Sequence, residues 1–157
     1  MHRLDLVLLD SPLDPTIPIK AVDHQLARWR IAFFGTPELA EERLTGFPLS
    51  LEGAPMLLPT AESAMRRVLD RWFEANGVAP RIVGEFEDSA QMKSFSESGT
   101  GLFPSPAGLA EVIERQHGVQ CLGVLKDAEV AYHAVTIERR LEHRGIEAIL
   151  QKEGTGT

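Results

Sequence analysis

The stretch that decides the fold runs from Met56 to Ser105: MLLPTAESAMRRVLDRWFEANGVAPRIVGEFEDSAQMKSFSESGTGLFPS. Its hydrophobic pattern predicts a strand, a helix, a second strand, a second helix and a third strand in succession. The first strand is a short apolar run that ends at Pro59. Strands that alternate with helices in this way are typical of an α/β fold.

The first helix of this stretch is predicted over residues 61–76. Its apolar residues recur every three or four positions, and its charged residues occupy the opposite side. Thr60 is the expected N-cap, because its hydroxyl can accept a hydrogen bond from a free amide of the first turn. Gly77 is a typical C-terminal cap, since glycine readily adopts the left-handed conformation. Trp72 and Phe73 lie on the apolar stripe, so we interpret them as core residues and not as a base-stacking platform.

The second half of the stretch repeats the arrangement. Residues 81–86 are predicted as a strand. Asp88 and Gln91 then form a capping box, which opens a helix over residues 89–98. Leu102-Phe103 is a further short, buried strand before a proline. The stretch therefore contains two strand-to-helix transitions, each marked by a polar capping residue.

A set of apolar, glycine and acidic positions within this stretch carries a family resemblance. They are Leu69, Trp72, Phe73, Gly77, Gly84, Glu85, Phe86, Glu87, Asp88, Met92, Lys93, Gly99, Gly101 and Pro104. These positions resemble the effector-binding half of LysR-type transcriptional regulators. The chain is most similar to the regulators of sodium/proton antiporter genes, in which a strand of the form Gly-Glu-Phe-acidic-Asp precedes a helix with Met-Lys. The resemblance extends from Leu4 to about Leu150.

The resemblance implies an α/β fold of the periplasmic-binding-protein type (type 2), with two lobes and a cleft between them. It assigns residues 1–27 and 128–157 to the first lobe and residues 28–127 to the second. Leu4–Leu9 would then be the third strand of the first lobe. We therefore expect that lobe to be truncated, and the linker helix and the DNA-binding helix-turn-helix domain to be absent from this chain.

Composition and charge limit the classes of function. The chain has 157 residues, of which 43% are hydrophobic and 25% charged, as expected for a globular domain with its own core. A net charge of -7 argues against direct binding to a phosphate backbone, so DNA contact is expected only through the absent helix-turn-helix domain. We expect no membrane contact and a cytoplasmic location, because we find no apolar run of spanning length and no signal peptide at the start.

Outside the central stretch, Leu4–Leu9 is a nearly continuous apolar run, which suggests a strand buried within a parallel sheet. Residues 16–25 are predicted as a connection, followed by a strand over Trp29–Phe34 and a helix with Pro37 at its first position. After residue 105 we expect a helix over Ala107–His117 that is capped by Ser105-Pro106. Two strands, over Val119–Leu125 and Val130–Ile137, should follow, and residues 126–129 between them are interpreted as a crossing between the lobes. The last expected element is a helix over Glu138–Gln151.

Polar residues at strand ends are the candidate effector ligands, because α/β folds bind ligands there. The residues that we expect to contact an effector are Asp10, Ser11, Thr60, Ser63, Glu87, Asp88 and Phe103. Thr60 and Ser63 lie near a helix N-terminus, where many members of the family hold organic acids. Glu62 introduces a negative charge that disfavours an anion, and simple capping explains the same two residues.

An ion is the other candidate effector. Glu85, Glu87 and Asp88, together with Asp10 or Asp14, offer oxygen ligands of the kind that hard cations prefer. A solvent-exposed strand edge followed by a helix cap explains the same acidic residues. The two interpretations remain open at this point.

Other chemistries have little support. The five histidines have no metal-binding spacing, so we expect no metal site. No serine lies in a nucleophile elbow, and Gly99-Thr100-Gly101 follows a helix and so does not form a phosphate loop. Cys121 is the single cysteine and is interpreted as a buried structural thiol. We therefore expect neither an enzyme nor a cofactor.

These observations predict the ligand-sensing domain of a LysR-type regulator, which binds a small molecule or an ion and shifts between lobe arrangements. A solute-binding protein of the same fold is the first alternative, and an enzyme on this fold is the second. We also expect a homo-oligomer, because Leu4–Leu9 would lie at an exposed apolar edge of the sheet, and such an edge is a template for pairing.

Overall fold

The computed structural model describes the backbone of residues 2–9 and 20–140 and the side chains of residues 28–131. Its elements are β1 His2–Leu9, β2 Lys20–Gly35, α1 Pro37–Leu44, β3 Pro55–Pro59, α2 Ala64–Asn76, β4 Arg81–Phe86, α3 Ser89–Ser96, β5 Phe103–Pro106, α4 Ala110–His117 and β6 Gln120–Arg140. Short 3-10 helices at Leu49–Leu51 and Ala107–Leu109 precede β3 and α4. The mixed α/β architecture confirms the predicted fold class. None of the helices described is long and apolar enough to cross a membrane.

The described strands form two sheets. The larger has the order β1-β6-β2-β5, and the smaller consists of β3 and β4. β3 and β4 are parallel, and Leu102 adds a parallel bridge to Met56 at the side of β3. β1 pairs antiparallel with β6, with Leu9 opposite His133. The prediction that Leu4–Leu9 pairs in a parallel sheet is therefore wrong, because β6 returns alongside it in the opposite direction.

The chain divides into two compact units. The first consists of Met1–Arg28 with Ala131–Thr157, and the second of Trp29–Val130. β2 and β6 both continue from one unit into the other. The lobe boundaries suggested by the resemblance stay a prediction. The site described below lies entirely within the second unit.

The core of the second unit forms around the fully buried segment Ile31–Phe34 of β2. Phe34 stacks on Phe103 of β5 with 5.5 Å between ring centroids. One buried cluster joins residues from these strands to β3, α3 and α4: Ala32, Phe34, Leu57, Met92, Phe103, Ile113 and Val119. Full burial of a Val, Leu, Ile, Phe or Met side chain stabilises a fold by about 1.5–3 kcal/mol relative to leaving that side chain exposed.

The helix α2 confirms the predicted apolar stripe but begins later than expected. Its buried residues are Met65, Leu69, Trp72 and Phe73, and Gly77 ends it in the left-handed conformation with φ 65°. The N-cap is Ser63 and not Thr60. Thr60 instead opens a turn, in which its carbonyl accepts a hydrogen bond from the Ser63 N–H at 3.0 Å. The predicted N-cap was therefore wrong by one turn.

Two long strands replace several predicted segments. β2 begins at Lys20, so residues 23–25 belong to a strand and not to a connection. β6 continues from Gln120 to Arg140 without a break at residues 126–129. Glu138–Arg140 is therefore strand, where the start of a helix was predicted, and the rest of that helix lies outside the described residues. The pairing of β6 with β1 up to Arg140 explains why the chain stays extended there.

The segment after α3 also differs in detail. α3 ends at Ser96 and not at residue 98. β5 starts at Phe103, continues to Pro106 and pairs antiparallel with β2, with Ile31 opposite Pro106. Ser105 is buried within this strand and does not cap a helix, since the chain first forms the 3-10 helix before α4.

Candidate functional site

The carboxyl ends of β3 and β4 lie side by side. Pro59 is opposite Phe86 in the parallel pair, and the Thr60 N–H donates a hydrogen bond to the Phe86 carbonyl at 3.1 Å. From this edge the chain enters α2 at Ser63 and α3 at Asp88, so both helices begin at the same end of the β3–β4 pair. Ligands of α/β folds bind at such carboxyl ends. We call Thr60, Ser63, Glu87 and Asp88 the strand-end site.

Two of these residues cap helices. The Ser63 hydroxyl accepts a hydrogen bond from the Arg66 N–H at 3.4 Å. Oδ1 of Asp88 accepts one from the Ala90 N–H at 2.8 Å, which confirms the predicted cap. Each cap satisfies one free amide of its helix. The helix dipole also favours the negatively polarised side-chain oxygen at this end of the helix. Capping therefore accounts for part of the hydrogen-bonding capacity of Ser63 and Asp88.

Arg66 connects the two halves of the site. Its guanidinium donates to the Pro59 carbonyl at 2.9 Å, to Oε2 of Glu85 at 2.7 Å and to Oδ1 of Asp70 at 3.0 Å. Partial burial tends to lower the pKa of Arg66, but the hydrogen bonds that it donates to Glu85 and Asp70, together with their negative charges, outweigh this effect, and the pKa is raised. The carboxylate of Glu85 is therefore already paired with Arg66.

The acidic residues do not converge on a cation position in the described part of the chain. Glu87 is exposed, Glu85 is paired with Arg66, and Asp88 is half-buried at its helix cap. Among the described residues, no three His, Cys, Asp or Glu side chains come close enough together to hold a metal ion. Asp10 and Asp14 lie outside those residues.

The remaining predicted ligands have different surroundings. Phe103 is fully buried in the core of the second unit and stacked on Phe34, and its role as a ligand contact stays a prediction. Asp10 and Ser11 lie outside the described residues. The structure therefore places Thr60, Ser63, Glu87 and Asp88 of the predicted set at the same edge.

One charged residue of α3, Lys93, is buried although the sequence did not predict it. It is only 4% exposed, which is unusual for a lysine. Burial lowers the pKa of its ammonium group, and the charge of Asp88 acts in the opposite direction. Met92, Lys93 and Ser96 form the buried side of α3. The apolar pattern of the sequence did not predict that a lysine would lie on this buried side.

Two depressions occur on the described part of the second unit. A pocket of about 210 Å³ lies between α1 and the start of β6 and is lined in part by Cys121. Burial raises the pKa of this half-buried thiol, so the reactive thiolate is disfavoured. A shallow groove of about 500 Å³ lies beside Phe86 and Phe95, whose rings are 5.5 Å apart. Neither depression is lined by residues of the strand-end site.

Comparisons with known proteins agree with this geometry. The model of the LysR substrate binding domain matches residues 1–152. The chain is 29% identical over 148 residues to the transcriptional activator protein NhaR of Escherichia coli (strain K12), covering 94% of this chain and 48% of that protein. The NhaR protein of Shigella flexneri matches to the same extent. The chain thus spans about half the length of the curated relatives that it matches.

Solved structures share the fold at low sequence identity. The regulatory domain of CcmR from Synechocystis PCC6803, solved in complex with 2-PG, has a TM-score of 0.60 and 12% identity, covering 94% of this chain and 70% of that chain. Full-length CbnR complexed with target DNA has a TM-score of 0.59 and 14% identity, and the match covers 98% of this chain and 52% of that chain. The predicted periplasmic-binding-protein-like fold is confirmed, and the chain belongs to the family of LysR substrate-binding domains.

Proposed function

We propose that this chain is the ligand-sensing part of a LysR-family transcription regulator and that its effector binds at the strand-end site. The observation that supports this most directly is that two helices begin at the adjacent carboxyl ends of β3 and β4. Free amides and helix dipoles there favour polar ligands. Asp88 adds a carboxylate at the same place, where it is the N-cap of α3.

The proposed mechanism is a shift between conformations. An effector that binds one conformation more tightly than another changes their populations by the difference in its binding free energy. In a regulator, that shift would alter the geometry with which a DNA-binding domain meets its operator. DNA contact would be made by a separate helix-turn-helix domain, and the protein would act in the cytoplasm as a homo-oligomer.

A regulator is favoured over the alternatives. The chain carries the family's substrate-binding domain, and the matched relatives are named transcriptional activators. A solute-binding protein would share the fold, but the family match favours regulation. Catalysis has no support from the second unit, because Ser63 acts as a helix cap and the pKa of Cys121 is raised.

Thermal unfolding of the chain in the presence of candidate effectors tests this proposal. Sodium, lithium and potassium chloride and a panel of small carboxylates should be compared at constant ionic strength. A compound that binds only the folded state raises the unfolding midpoint by mass action. We expect at least one compound to raise it, with a saturable dependence on concentration.

The choice of compound distinguishes two forms of the proposal. A rise specific to sodium or lithium favours an ion effector, and a rise with a carboxylate favours an organic effector at the strand-end site. If every compound leaves the midpoint unchanged at saturating concentrations, the proposal fails for both classes.

A further inference from the structure

We draw no further inference here: the strongest candidate, the exposed apolar surface patch that Ile82 and Val83 of β4 form with Phe95 of α3, carries nothing, because nothing in the described part of the chain shows what covers it.

Discussion

Arg66 of α2 forms contacts with three segments around the strand-end site. They are the end of β3 at Pro59, the end of β4 at Glu85 and the next turn of α2 at Asp70. Its side chain is 12% exposed, while the two carboxylates that it contacts are about half exposed. Ion pairs with exposed carboxylates contribute little, so the hydrogen bond to the half-buried carboxyl end of β3 matters more. The arginine therefore acts mainly by fixing the geometry of the site.

Replacement of this arginine tests that role. Arg66→Met should lower the free energy of unfolding by about 1–2 kcal/mol, because it removes the hydrogen bonds to Pro59 and Glu85. Arg71→Met, on the exposed side of the same helix, should change it by less than about 0.5 kcal/mol. Urea unfolding measures both values, and equal effects of the two substitutions would contradict the account.

Lys93 predicts a dependence of stability on pH. Burial lowers its pKa in the folded state, so the unfolded chain binds the proton more tightly. The contribution of Lys93 to the free energy of unfolding should therefore increase as the pH rises toward about 10.4, the ordinary lysine pKa. Cys121 acts in the opposite direction, because burial raises the pKa of its thiol.

The difference between wild type and Lys93→Met isolates the lysine, since Cys121 is common to both proteins. Between about pH 8 and pH 10, urea unfolding should show wild type gaining stability relative to the variant. A difference that stays constant across this interval would mean that Lys93 is not desolvated in the folded state.

Individual residues varied in how well the sequence predicted them. Asp88 was recognisable as a cap, because its hydrogen bond is to a near neighbour in the chain. The start of α2 after Ser63 was not predicted, because the turn before it includes a contact between Thr60 and Phe86, which are far apart in sequence. The burial of Lys93 was not predicted, because charged residues are normally placed on the solvent side of a helix.

At the level of elements, the start of α2 gives a direct comparison of two caps. Ser63→Ala should lower the free energy of unfolding by about 0.5–1 kcal/mol, since its hydroxyl caps the helix. Thr60→Val preserves the backbone hydrogen bonds of the turn and should cost less than about 0.5 kcal/mol. Urea unfolding of both variants checks this order, and a larger effect of Thr60→Val would favour the cap predicted from the sequence.

β6 shows why long strands were divided in the prediction. Lys126-Asp127 and Glu129 suggest a loop by composition, but Ala128 and Val130 are buried while their neighbours Asp127 and Glu129 are exposed. This alternation is that of a strand with one covered face. Local composition could not reveal it, because the pairing with strands distant in sequence keeps the segment extended.

On the scale of the whole molecule, the sheet order leads to a prediction about assembly. β1 is the terminal strand in the order β1-β6-β2-β5, so no described strand covers its outer edge. Such an edge is a template for pairing with another chain. Light scattering over a concentration series should show self-association, and a clean monomer at the highest concentration would contradict this prediction.

The most direct test of the central claim is to map the bound effector by amide chemical shifts in the ¹⁵N-labelled chain. The titrant is whichever compound of the thermal panel stabilises the chain most. Binding at the strand-end site predicts that the largest changes cluster at residues 60–63 and 87–93. Changes confined to Pro37–Glu41 and Cys121, or to Ser94 and Phe95, would place the ligand in one of the other depressions and contradict the account.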